Sequence, residues 1–360
     1  MMLKRINKRN LISNLISIAA LIVFSILIKG SPTLPGIFSL IFIYSIAALA
    51  LNIVCGCLGE FVLGHGGFLL IGYTVAVLIA SLIKKFVDPS FLRENIFTVR
   101  GAELHFLGYL IIIGIVIVAG IVTGIIGFIV GTIALGRLKG DYLAIVTLVM
   151  SLIFVNICKN FEGLGGASGI GAASYLRGTP VLYAVFLVVS VFLIITFMRS
   201  RFGRAILACR DDNIAAEASG VPVNKYKVLA FTFASVIAGI AGGLLAHYQT
   251  FSPIKFGQDL SILFLVIIVL GGLGSLTGSI LATGIIIFYQ QWFCIQSWVP
   301  EFFASNPKII YGVVLVLIML FRSSGILGTN EFTWDWFYKI IGKIKNKIKP
   351  KKEPSKEVTE

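Results

Sequence analysis

From Leu107 to Leu135 the chain runs through 29 residues without one charged side chain. A helix of that length, rising about 1.5 Å per residue, is longer than the ~30 Å hydrocarbon core of a bilayer is thick. Thr179 to Met198 and Leu260 to Leu273 are further uncharged apolar runs. Such stretches leave few folds open, because lipid offers no partner to backbone N–H and C=O groups and only helices or closed barrels cross it. A barrel would show short alternating segments, and these runs do not alternate. The sequence therefore predicts an all-α polytopic membrane protein. Composition agrees: 58% of the 360 residues are hydrophobic and 13% charged, against about 45–50% and about 25% in soluble domains.

Apolar runs and their punctuation give about ten transmembrane helices, near 11–28, 37–55, 68–83, 107–135, 142–158, 179–198, 228–248, 258–273, 280–298 and 308–321. The first follows a basic start (Lys4, Arg5, Lys8, Arg9) and has no clear cleavage site, so it reads as a retained span. Residues 1–10 form an N-terminal tail, 11–328 the transmembrane domain and 329–360 a basic tail. Lys and Arg collect on the cytoplasmic side. With both termini inside, 21 of the 30 basic residues fall in cytoplasmic segments, six of them between Arg199 and Lys227. The net charge of +14 is thereby explained by orientation in a cell (inner) membrane, and no nucleic-acid partner is implied.

Three glycine-rich stretches interrupt the helical pattern: Gly56–Gly67, Gly163–Gly171 and Gly271–Gly278. Each glycine costs a helix about 1 kcal/mol against alanine. The first and third read as broken helices beside a translocation path, with Gly59, Glu60, Gly64 and His65 in one and Gly271, Gly272, Gly274 and Ser275 in the other; close helix packing through small residues is the alternative. Each follows one apolar span and precedes another, which suggests two inverted repeats. Glu60 and His65 stand nearest a span and need a partner, a cavity or an interfacial position.

The longest polar interruption on the predicted cytoplasmic side is 199–227. Asp211 or Asp212 can cap a short helix over Asn213–Ser219, and Gly220 with Pro222 ends it. Ile214, Ala215 and Ala218 would form its apolar face, flanked by Arg210 and Glu217. A helix this short is not stable alone and is expected to dock on something. In the tail, Trp334, Phe337, Ile341, Ile344 and Ile348 alternate with lysines, as in an amphipathic helix lying on an anionic leaflet.

Enzyme signatures are missing: there is no phosphate-binding GxxxxGK(S/T) loop, HExxH or GxSxG. His65, His105 and His247 lack ligand-spaced companions, so no metal site is expected. The five cysteines form no CxxC pair and read as small buried hydrophobes. A secondary transporter would be expected to carry ionisable residues in its spans, and almost none lie there.

The segments LNIVCGCLGEFVLGHGGFLLIGYT, GRLKGDYLAIVTL, GLGGASGI, RSRFGRAILACRDDNIAAEASGV, FTFASVIAGIAGGLLA, VLGGLGSLTGSILATG and YGVVLVLIMLFRSSGILG follow one another in this order. Together they resemble the LivM-type permeases of branched-chain amino-acid ABC importers, from about Ala48 to Gly328. The resemblance implies a permease that is not itself an enzyme and binds no cofactor. Its implied partners are a second homologous permease subunit, two cytoplasmic ATPases that hold ATP and Mg, and an extracytoplasmic binding protein. It implies too that Arg210, Asp211, Asp212, Ile214, Glu217 and Gly220 belong to the ATPase-contacting segment. Related permeases carry urea or sugars, which is the alternative cargo.

Overall fold

The computed structural model describes residues 34–86, 106–136, 140–161, 163, 166–172 and 179–292, with the isolated positions 312, 313, 316, 320 and 325. Among these residues the backbone is helical and no strand is present, as satisfaction of every polar group within one segment requires in lipid. We number the helices α1 (Leu34–Asn52), α2 (His65–Phe86), α3 (Phe106–Ala134), α4 (Asp141–Asn160), α5 (Pro180–Arg199), α6 (Arg201–Asp211), α7 (Asn213–Ala218), α8 (Val223–Tyr248), α9 (Gln258–Gly271) and α10 (Leu276–Gln291). The α1 chain continues as a wide π-helical turn, Ile53–Leu58, closed by Gly59 N–H on the Val54 carbonyl.

Two helices form the centre. α1 is apolar on every side, and Ile43, Ile46, Leu49 and Leu51 are fully enclosed, the pattern expected of a helix surrounded by others. α8 packs on α1, α2 and α3. Its approach to α2 is backbone on backbone: a Cβ on Gly72 would lie 2.3 Å from the Gly239 carbonyl oxygen. Gly120, Gly124 and Gly127 of α3 receive Ile240, Val236 and Ser235 of α8. Small residues serve here because lipid is as apolar as leucine, so helices associate through close van der Waals contact and not through a hydrophobic drive. Away from the centre, α3, α4 and α5 expose apolar ridges such as Ile117, Ile121 and Ile125, or Ile145, Val149 and Ile153.

Six of these helices are long and apolar enough to cross a membrane, Leu34–Leu58, His65–Phe86, Leu107–Ala134, Asp141–Asn160, Pro180–Arg199 and Val223–Tyr248. The expected span 258–273 is a 14-residue helix, about 21 Å long and shorter than the core of a bilayer. The expected span 280–298 is described as far as Gln291 of α10. The spans at 11–28 and 308–321 lie outside the described residues apart from positions 312, 313, 316 and 320, as do the tails 1–10 and 329–360. Of the ten expected spans, six are full-length helices and two are shorter helices among the described residues.

α1 and α9 run side by side in the same direction. The Tyr44 and Phe264 rings meet edge-on at 5.3 Å, and two turns further along Asn52 reaches Gly274. The two glycine breaks that follow these helices therefore lie together at one end. The relation between these two breaks is parallel, where the sequence suggested an inverted one.

Candidate functional site

The first break is an extended stretch, 59–64, that folds back into the bundle. Gly59 enters it with φ +81, a left-handed conformation open to glycine and strained for other residues. The Leu63 N–H is taken by the Thr147 hydroxyl of α4 at 3.3 Å, and Gly64 presses on the Thr147 carbonyl so closely that a Cβ would come within 2.1 Å. α2 consequently starts inside the protein. His65 is buried, with Nε2 2.8 Å from the Ala47 carbonyl oxygen and its ring edge-on to Phe264 at 5.7 Å. Gly66 N–H donates to the Ser261 hydroxyl at 2.9 Å. Irregular backbone within a membrane protein survives where protein supplies such partners.

The second break is a tight reversal, 272–275, between α9 and α10. Gly272 (φ +111) and Gly274 (φ +88) turn the chain, and Ser275 caps α10 by accepting from Gly278 N–H at 3.1 Å. Gly271 and Gly278 meet face to face; a Cβ on Gly271 would lie 2.5 Å from the Gly278 carbonyl carbon. Ser275 is fully enclosed.

Asn52 joins the breaks. Its amide nitrogen donates to the Ser275 carbonyl and to the Ser279 hydroxyl, both at 3.0 Å, while its amide oxygen accepts from Gly274 N–H at 2.7 Å. Gly56, one turn on, leaves room for this: a Cβ there would be 2.1 Å from Asn52 Oδ1 and 2.4 Å from Gly274 N.

The 200–222 segment lies against the same end. Ser200 caps α6, accepting from Phe202 and Gly203 N–H, and Asp212 caps α7, its Oδ1 accepting from Ile214 and Ala215 N–H at 2.8 and 3.1 Å. Gly220 (φ +80) ends α7, its N–H donating to the Glu217 carbonyl, while Val221 N–H reaches the Ala216 carbonyl at 3.0 Å. These are the two bonds of a Schellman stop. The cap and stop fall where the sequence put them; the apolar face does not. Ala216 is buried against Cys209 and Val223, whereas Ile214, Ala215 and Ala218 are exposed, Ile214 at 80%. A helix this short is oriented by what it packs on, here α6 and the start of α8, and not by its own periodicity.

Two contacts tie this segment to the first break. The Arg210 stem lies over Gly59, where a Cβ would be 3.1 Å from Arg210 Cγ. Lys227, one turn into α8, donates to Glu60 in an ion pair shielded from solvent, with side-chain exposures of 7% and 15%. Glu60 thus has the partner its position demanded. Asp211 and Glu217 are exposed. Among the described residues no three His, Cys, Asp or Glu side chains are placed to hold a metal ion. Sequence reasoning missed Asn52 and Lys227. Asn52 could have been found as the one amide in the apolar stretch from Leu34 to Leu58, since a polar side chain within a span marks a special site.

Buried central helices, apolar outer ridges and two interlocked breaks joined to a capped polar segment define a multi-pass membrane permease. The family described as the permease component of the branched-chain amino acid transport system matches residues 34–320, and the chain belongs to that family. It is 32% identical over 321 residues to the high-affinity branched-chain amino acid transport system permease protein LivM of Salmonella typhimurium, covering 79% of this chain and 68% of that one. Against the LivM protein of Escherichia coli K12 it is 31% identical, over 80% and 68% of the two chains. The LivH permease of Salmonella typhimurium is a more distant relative, 24% identical over 80% of this chain and 92% of its own. No solved structure matches.

Proposed function

We propose that this chain is the permease subunit of an ATP-driven importer and forms, with a second homologous permease subunit, the translocation path for branched-chain amino acids. Membership of the family and likeness to both LivM and LivH relatives support this reading. In it, an extracytoplasmic binding protein delivers the cargo and two cytoplasmic ATPases drive it. The 199–227 segment faces the cytoplasm together with both termini, in keeping with the basic residues it carries.

The observation that carries the mechanism is the pair of contacts from this segment to the first break, Arg210 over Gly59 and Lys227 on Glu60. An ATPase docked on the exposed side of α7, at Ile214 and Glu217, would displace α6 and α8 and so move the break directly. Asn52 would pass that displacement to the second break.

Ala216→Pro tests this, because it removes the Ala216 N–H bond to Asp212 O and costs a helix interior about 3 kcal/mol. Normal membrane abundance is expected, with loss of the copurifying ATPase and of leucine uptake in energised vesicles. Full uptake with wild-type ATPase stoichiometry would overturn the coupling role.

A further inference from the structure

Lys225 and Lys227 are two positions apart on α8 and so point to opposite sides of the helix. Lys227 faces inward to Glu60. Lys225 faces outward into a groove between α3, α5 and α8 with a volume of about 580 Å³, within the ~300–1,000 Å³ of small-ligand sites. The groove is graded in polarity. Asn224 and Lys225 stand at the end that carries the 200–222 segment, and Phe128, Phe197, Phe233 and Val236 line it deeper in. Phe197 and Phe233 stack at 4.1 Å to form one wall. From Lys225 to Val236 is about 16 Å along the helix, close to half of a ~30 Å hydrocarbon core.

We propose that this groove binds an anionic phospholipid, with its phosphate on Lys225 and one acyl chain along the aromatic wall. The ammonium of Lys225 has no acidic partner among the described residues, and it lies at the mouth of a mostly apolar channel, whose lining also holds Thr132 and Thr232, about one leaflet deep. That combination complements an amphiphile with a negative head. Basic pockets between helices at the membrane surface bind such headgroups. Because α8 holds Glu60 on its other side, bound lipid braces the turn that carries the ion pair. This regulatory role rests on the importer reading; the lipid site does not.

The test is lipid retention by the purified transporter, measured by native mass spectrometry after reconstitution in phosphatidylcholine with or without phosphatidylglycerol. The intact protein is expected to retain phosphatidylglycerol preferentially. Lys225→Gln should lower that retention about fivefold, the order expected for one lysine at a membrane surface. Lys225→Arg should keep it, and Leu229→Trp, which fills the groove from its exposed edge, should abolish it. Lys255→Gln, beyond the far end of α8, should change nothing. Equal retention of both lipids, an unaffected Lys225→Gln protein, displacement by inorganic phosphate alone, or crosslinking of Phe128→Cys to a second permease subunit would each overturn the site. Absence of leucine uptake by the intact, reconstituted protein while its phosphatidylglycerol is retained would count against the importer reading alone.

Discussion

Lys227 and Glu60 are 167 positions apart in the chain, yet their side chains form an ion pair at the junction of α8 with the first break. Removing one partner of a buried pair strands the other charge and costs about 3 kcal/mol or more, while replacing both by apolar groups is often close to neutral. Lys227→Met and Glu60→Gln are therefore expected to lower thermal stability and abolish leucine uptake. The double variant Glu60→Met with Lys227→Met should recover stability without uptake. Wild-type uptake by the double variant would reduce the pair to a structural role.

Asn52 fills three hydrogen-bonding positions at once. Asn52→Leu leaves the Gly274 N–H buried without its acceptor, at about 1–3 kcal/mol for an unsatisfied group, while the Ser275 carbonyl keeps its bonds from Ser279. A clear drop in melting temperature is the expected result. Gly56→Ala should reproduce it, since its methyl would meet Asn52 Oδ1 at 2.1 Å. An unchanged melting curve in both would contradict the staple.

Asp212→Ala removes the α7 cap, worth about 1 kcal/mol, and leaves the membrane helices untouched. ATPase copurification is expected to fall severalfold, with normal permease abundance. Asp212→Asn, which can still accept from Ile214 N–H, should restore it.

Cys209 is enclosed between α6, α7 and α8, and burial pushes its thiol pKa up, the nearby Lys227 charge opposing this less strongly. The thiolate is the reactive form. In a Ser219→Cys variant, peptide-resolved alkylation at pH 8 should therefore be much slower at Cys209 than at the thiol introduced on the exposed end of α7, and labelling of Cys209 should accelerate as pH rises further. Ala216→Pro should expose Cys209 and remove the difference; fast labelling in the intact protein would show that α7 is not seated on it.

The helical class and the positions of both breaks could be read from the sequence because long apolar runs and glycine clusters are local signals. Asp212 and Gly220 were legible for the same reason: a cap and a stop act within four residues of themselves. The buried side of α7 was not, since Ala216 is selected over Ile214 by Cys209 and Val223, neighbours that the helix's own pattern does not name. Lys227 reads as an ordinary lysine at the edge of a span, and nothing near it announces Glu60. The short α9 reads as a span because hydropathy reports what a segment is made of, while the glycines at 271, 272 and 274 cut its length.

Asn52 also sets an order of assembly. Its hydrogen-bond partner Ser275 follows 223 residues later, so at ~5–20 residues per second the ribosome needs about 11–45 s to supply it. Throughout that interval α1 is in or entering the membrane with an amide whose final acceptors do not exist. The helix that forms the centre of the finished protein is thus among the first made and among the last to be completed, and a chain released before Ser275 is synthesised would carry an unsatisfied polar group that quality-control proteases in the membrane could recognise.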